Sequence, residues 1–471
     1  MNIHELTHDN KGAVLAVGIM FIALLSIIGS TAYILSSSDV IISANYKTSE
    51  QAFNNAEAGI QFGIAKIEEA LESGIYLPET DGSSMTIPGD SAPSGFSFSL
   101  SQLTRDSENN YSFISTGNSS RESTAKIKAA IKRKPAIDLA VFSKKQSDLK
   151  NNSGVFSYNS TDSSPDPGDG VWDTSNPSHD LMYSTHHGNI GSNGDGDGHH
   201  DIVLRVGVYV DGGISLGQHE GVDAAITDEG AVVAGEIAPV GPIDPDPLNI
   251  AVDNEFINKF STYDPLLGGS NDNGSDITNT SSGAGYNPGI EIDSSDGDIT
   301  LNGEAGGSNF YFDNIDLQNQ KLTLDAQNGP ISIWVKGGLV QGNNSTIEIK
   351  NTASGKRVSI NVTEPAGGYA GADIIKIANA ADFNPDGQPS HVLIKTDSAK
   401  NIKIHNSGTT KAIVYGPNAD IEYKNGSVLY GAMWGNTVAM KSTMKVYFDE
   451  AIKKEYPTNK VLMTSWSQIL D

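Results

Sequence analysis

Residues 193–201 read Asn193-Gly194-Asp195-Gly196-Asp197-Gly198-His199-His200-Asp201, and their spacing is the most chemically suggestive in the chain. Oxygen donors at relative positions one, three, five and nine, with glycine at six, follow the first half of a calcium loop. Asn193, Asp195, Asp197 and Asp201 are therefore the candidate metal ligands, and calcium is the cofactor the pattern suggests. Position twelve is Leu204, where such a loop carries a bidentate Glu. Either another carboxylate completes the set, or the segment is an Asp/Gly turn feeding a strand at 202–210.

Six histidines, His179, His186, His187, His199, His200 and His219, fall in the same region. Zinc or copper would need two or three of them to converge. Adjacent pairs point to opposite sides of an extended backbone, so exposed loop positions are the simpler reading. Asp293 with Asp296, and Asp449 with Glu450, have the make-up of a glycosidase pair. In a chain with 57 acidic residues such adjacency carries little weight. No Gly-x-Ser-x-Gly elbow occurs, and beyond Arg133 the only arginines are Arg205 and Arg357. No catalytic residue is expected.

The elements that hold these residues begin with a helix. Between Lys11 and Asp39 no residue is charged. At ~1.5 Å per residue, 12–35 spans ~36 Å, enough to cross a ~30 Å hydrocarbon core. Phe53, Ala56, Ile60, Ile64, Ile67 and Leu71 then recur at steps of three and four, which places them on one helical face. The first proline is Pro78. Gly29, Gly59 and Gly63 weaken a solvated helix by ~1 kcal/mol each but permit close packing.

Lys11-Gly12 followed by Ala13-Val14-Leu15-Ala16-Val17, and Ser43-Ala44-Asn45-Tyr46-Lys47 through Gln51-Ala52-Phe53-Asn54-Asn55-Ala56-Glu57-Ala58-Gly59-Ile60, resemble type IV pilins and, among them, the PilX-like minor pilins. The resemblance runs from the start of the chain to the end of the amphipathic stretch. It implies a prepilin leader at 1–12 cut between Gly12 and Ala13 by a prepilin peptidase, residence in the bacterial inner membrane before assembly, and other pilins or minor pilins as partners. Major pilins usually carry Glu at the fifth mature position, thought to pair with the N-terminal ammonium of the adjoining subunit. Here that position is Val17. A carboxylate inside a bilayer is expensive unless paired, so its absence implies a subunit at or near a filament tip.

Composition bounds the remainder. The chain has 471 residues, no cysteine and a net charge of −26, from 31 basic and 57 acidic residues. Nucleic acid is thereby an unlikely partner and cations are suitable ones. Without disulfides, stability outside the cell must come from packing or metal ions. Fifty glycines favour a turn-rich β architecture. Period-two stretches at 96–100, 111–115 and 123–132 predict a small antiparallel meander. Its basic residues Lys126, Lys128, Lys132, Arg133 and Lys134 read as a solvated strand face. From Pro135 onward the chain is acidic, rich in Gly, Asn and Asp, with short strands recurring about every 8–10 residues between 412 and 448, as in a β-solenoid or a sandwich. The segment 239–247, PVGPIDPDP, reads as a rigid connector. Tyr415-Gly416-Pro417-Asn418-Ala419-Asp420, Leu429-Tyr430-Gly431-Ala432 and Tyr447-Phe448-Asp449-Glu450-Ala451 resemble a β-helix-like domain found behind PilX-type N-termini.

The expected fold is α+β: a leader at 1–12, a transmembrane and amphipathic pilin helix at 13–73, a pilin-like β-meander at 74–134, and an acidic all-β, solenoid-like module at 135–471. The expected function is that of a non-enzymatic minor pilin or pilus-tip component, displayed on an extracellular pilus or the cell surface, whose helix serves filament assembly and whose module serves adhesion or surface interaction, with a surface or carbohydrate as candidate ligand. A carbohydrate-active β-helix enzyme carried on a pilus and a type II secretion tip pseudopilin are the alternatives.

Overall fold

No proline interrupts the chain before Pro78, and a single helix, Leu6–Glu72, runs through the uncharged stretch and the amphipathic one alike. Its 67 residues correspond to ~100 Å of helix. The structure is a computed structural model. It describes residues 6–73, 75, 77–78, 82–88, 92–106, 110–160, 187–194, 201–217, 226–240, 242–248, 291–293, 297–353, 355–365, 368–378, 380–405 and 408–469, with side chains from Val14 onward other than that of Glu291. The chain divides into two units, one of Met1–Lys134 with Asn459–Asp471 and one of Pro135–Thr458.

In the first unit the helix is covered along its second half by the predicted antiparallel sheet. Strands Tyr111–Asn118 and Thr124–Pro135 pair from Tyr111 with Ile131 to Asn118 with Thr124. Phe98–Leu100, Leu103–Arg105 and Ser84–Met85 extend the sheet on the far side of Tyr111–Asn118. Alternation turns Tyr111, Phe113, Ala125, Ile127, Ala129 and Ile131 inward, where they bury against Ala52, Ala56, Ile60, Ile67 and Leu71. Each large aliphatic removed from water contributes about 1.5–3 kcal/mol, which is what holds the sheet to the rod. Gly117 marks the closest approach: a Cβ there would overlap the carbonyl oxygen of Ala52 and the amide nitrogen of Ala56.

The last strand of the chain, Pro457–Ile469, lies beside Thr124–Pro135 in this same sheet. The module therefore closes at Thr458, not at residue 471 as composition suggested. Val461 is buried and its N–H donates to Glu68 Oε1 at 3.0 Å, while Lys460 Nζ reaches Glu72 at 3.1 Å.

The second unit is a stack of parallel strands in which, from Glu291–Ile292 to Asn401–Ile404, strands pair with the one three further along: Ile299 with Leu322, Leu322 with Ile347, Ile331 with Val358. The stretch of chain between the two members of each pair is one coil of a β-solenoid. One inward row runs through the stack without a polar interruption: Phe310, Ile333, Ile360, Ile394, Val414, Met433, Val141, Ile190, Ile214 and Ile237. The order of that row shows how the chain is laid. Coils from Glu291–Ile292 to Lys445–Asp449 climb toward a seam, where Val428–Lys441 pairs in parallel with Val141–Leu149 and Lys445–Asp449 with Gly154–Tyr158. From the seam the strands up to Ile237–Pro239 continue the stack in the same direction. The predicted strand at 202–210 is two strands, Ile202–Leu204 and Tyr209–Val210, separated at Gly207, whose φ is +77°.

Candidate functional site

The N-terminal half of the helix is a bare apolar surface of the first unit. An 18-residue window within Val14–Glu72 has a mean hydropathy of 2.4, and none of it is buried. Val17, Met20, Phe21, Ile22, Ile27 and Ile34 are all exposed. By length and composition this helix is sufficient to cross a membrane. Two of its hydroxyl groups are satisfied locally, Ser30 Oγ donating to the carbonyl of Ser26 and Thr31 Oγ1 to that of Ile27, so neither presents an unbonded donor to an apolar medium. Val17 stands on this bare stretch with its aliphatic side chain outward. Gly12 and Ala13 lie in the helical backbone, and the side chain of Ala13 is outside the described residues.

The basic strand behaves as its alternation predicts. Lys128, Lys132 and Lys134 are exposed, Lys126 is half-buried, and Arg133, with the opposite parity, has its guanidinium pKa lowered by burial.

In the module the calcium-type loop is only partly visible. Asp195 and Asp197 lie outside the described residues, as do His179, His186, His199, His200 and His219. Asn193 is buried and its amide is committed elsewhere: Nδ2 donates to the carbonyl of Ile243 at 2.6 Å, and Oδ1 accepts from the Ile243 N–H at 2.9 Å. Asp201 is also buried, with its carboxylate packed beside Gly194. Among the described residues no three His, Asp or Glu side chains are grouped to hold a metal ion. His187 Nδ1 sits 2.7 Å from Glu450 Oε1.

Asp449 and Glu450 do not converge. Asp449 is fully buried and accepts from the Ser160 N–H, the Ser160 hydroxyl and the Ala451 N–H. Burial raises its pKa above the ordinary carboxylate value, against those hydrogen bonds. It caps a turn, while Glu450 turns to His187. Asp293 serves through its backbone carbonyl, which accepts from Gln320 Nε2 at 2.6 Å, and Asp296 is outside the described residues.

Sequence reasoning missed a polar and aromatic cluster on the outer face of the module. Phe142, Tyr415 and Trp434 are buried there, the last two bonded to the segment 242–248, most of which lies in the stretch 239–247 that composition identified only as a connector. The signal was in the strands: Tyr415 and Trp434 each follow an inward apolar residue, Val414 and Met433, and so have outward parity.

Residues 11–61 match the family described as PilX N-terminal, and residues 270–455 match a family described as a domain of unknown function (DUF7305). No curated protein matches the chain. Among solved structures the chain is similar to the competence-associated pilin ComZ from Thermus thermophilus, at 12% identity and a TM-score of 0.35, over 90% of this chain and 98% of that one. The N-terminal segment is thus type IV pilin-like, of the PilX kind, as its motifs indicated.

Proposed function

We propose that this protein is a minor pilin that enters a type IV filament through its N-terminal helix and carries the β-solenoid module at or near the tip as a non-enzymatic interaction surface. The observation that carries the reading is the division of one continuous helix into a bare apolar half and a half packed under an antiparallel sheet. The match of residues 11–61 to the PilX N-terminal family supports it. In this reading a prepilin peptidase cuts between Gly12 and Ala13, and the bare half passes from the inner membrane into the core of the filament.

Tip placement follows from Val17. Repeated along a shaft, a subunit without a carboxylate at that position leaves each N-terminal ammonium unpaired in an apolar core, at a cost of at least a few kcal/mol per subunit. A single capping copy avoids the repetition. N-terminal sequencing of filament material should find Ala13, free or methylated, as the first residue, and gold labelling of an epitope on the module should mark filament ends. An intact Met1 in filaments would overturn the pilin reading, and continuous decoration of shafts would overturn the tip placement.

A further inference from the structure

The segment 242–248 lies along an outer face of the module in a groove walled by aromatic side chains. Phe142, Trp434 and Tyr415 occupy successive rungs, joined in register, with Phe142 and Trp434 ring centroids 4.3 Å apart and Trp434 and Tyr415 6.1 Å apart. All three point away from the solenoid axis, yet none is more than 1% exposed. The segment bonds to Trp434 and Tyr415. Trp434 Nε1–H donates to the carbonyl of Pro245 at 3.0 Å, and the Tyr415 hydroxyl donates to Asp246 Oδ1 at 2.7 Å. At the other end both backbone groups of Ile243 are held by Asn193. A Cβ on Gly191 would stand 3.2 Å from Ile243 Cδ1, so the absence of a side chain there leaves room for the isoleucine.

The rings of Pro242, Pro245 and Pro247 each lock φ in the range of a polyproline II chain, and each disfavours the helical region for the residue before it. The segment bends at Pro245 and turns at Pro247–Leu248, with the Asp246 N–H donating to Asp244 Oδ1 at 3.0 Å. The rungs beneath run from Ile190–Ser192 through Val141–Leu149 and Val428–Lys441 to Thr409–Lys424. The segment crosses the seam between the two runs of coils with a polar contact near each end and at the middle. Aromatic-lined grooves are how proline-rich ligands are recognised.

We propose that Phe142, Trp434, Tyr415 and Asn193 form a binding groove for a proline-rich, acidic peptide, and that residues 242–248 occupy it in cis. A segment of the same chemistry on another chain then binds only by displacing the connector, against an effective concentration on the order of millimolar. The probe is a fluorescent peptide of residues 240–248, added to the full chain in detergent micelles and to Ile243→Gly, which removes the side chain seated over Gly191. Anisotropy should show saturable binding to the variant at least about tenfold tighter than to the native chain. A peptide with its three prolines replaced by alanine should bind the variant at least about tenfold more weakly. Should Ile243→Gly lose its native circular dichroism, Asp246→Ala, which deletes one half-buried carboxylate, supports the same comparison. Equal binding to native and variant chains, equal binding of the alanine peptide, or no saturable binding by a folded variant would each overturn the proposal.

Discussion

Glu422 shows how a single side chain on a parallel stack collects partners from successive rungs. Lys424 lies two residues away on its own strand and Lys441 on the next, and both nitrogens reach the Glu422 carboxylate, as does His405 Nε2 at 2.7 Å from the preceding one. The hydrogen bond from Lys441 is the largest cause that holds the Glu422 pKa down to about 2; burial opposes it and Lys424 adds to it. His405 is shifted down as well, chiefly by burial. A carboxylate whose folded pKa lies below its unfolded value stabilises the fold above the unfolded pKa, and that contribution is lost as pH falls through the folded one. Glu422→Gln should therefore lower stability by about 1–3 kcal/mol at pH 7, after allowance for partial solvent screening. In urea melts the gap between variant and native should close between about pH 4.5 and pH 2. A gap that persists unchanged at pH 2 would show that packing, not charge, holds this cluster.

The elements differ in how plainly the sequence announces them. The helix was legible because two local signals, an uncharged run and a helical period, need no distant partner to interpret. The strands Tyr111–Asn118 and Thr124–Pro135 were legible for the same reason, since one face of each is buried and the other wet. Leu103–Arg105 is too short to show a period, and Pro457–Ile469 is exposed at most positions, so neither carries an alternation to read. In the module some of the short strands expected between 412 and 448 are joined into one strand, Thr409–Lys424, which pairs with Val428–Lys441 on both sides of a corner where the register shifts between Gly416 and Asp420. At the candidate calcium loop the spacing of oxygens was legible, but the demand of the distant Ile243 on Asn193 was not. The fit of sheet to helix gives a prediction at this scale. At Gly117 an added methyl meets main-chain atoms, which cannot swing aside. Gly117→Ala should cost about 1–3 kcal/mol. The loss should appear in the emission of Trp466, whose ring is 6.2 Å from that of Phe53 on the helix. An unchanged midpoint would mean that helix and sheet separate there at little cost.

Taken whole, the chain leaves one sheet at Thr124–Pro135, builds a solenoid, and returns to the same sheet as its neighbour, Pro457–Ile469. At the module's own boundary the two ends are joined, Ala136 N–H donating to the carbonyl of Tyr456 at 2.7 Å. The module is thus an insertion, and the small sheet depends on residues beyond it. Truncation after Thr458 should strip hydrogen-exchange protection from the amides of 111–134 while leaving those of 291–449 protected. Equal loss in both regions would contradict two separate units. The seam inside the solenoid has a consequence in time. Val141–Leu149 takes Val428–Lys441 as its rung on one side, so that edge of Val141 waits for Met433, made much later in the chain. At ~5–20 residues per second, the ribosome takes ~15–60 s to pass from one to the other. Coils from 291 onward, whose partners lie a single coil away, find them almost as they appear. The portion of the module that the ribosome makes first is the portion that must be kept from aggregation the longest, an interval a chaperone would have to bridge.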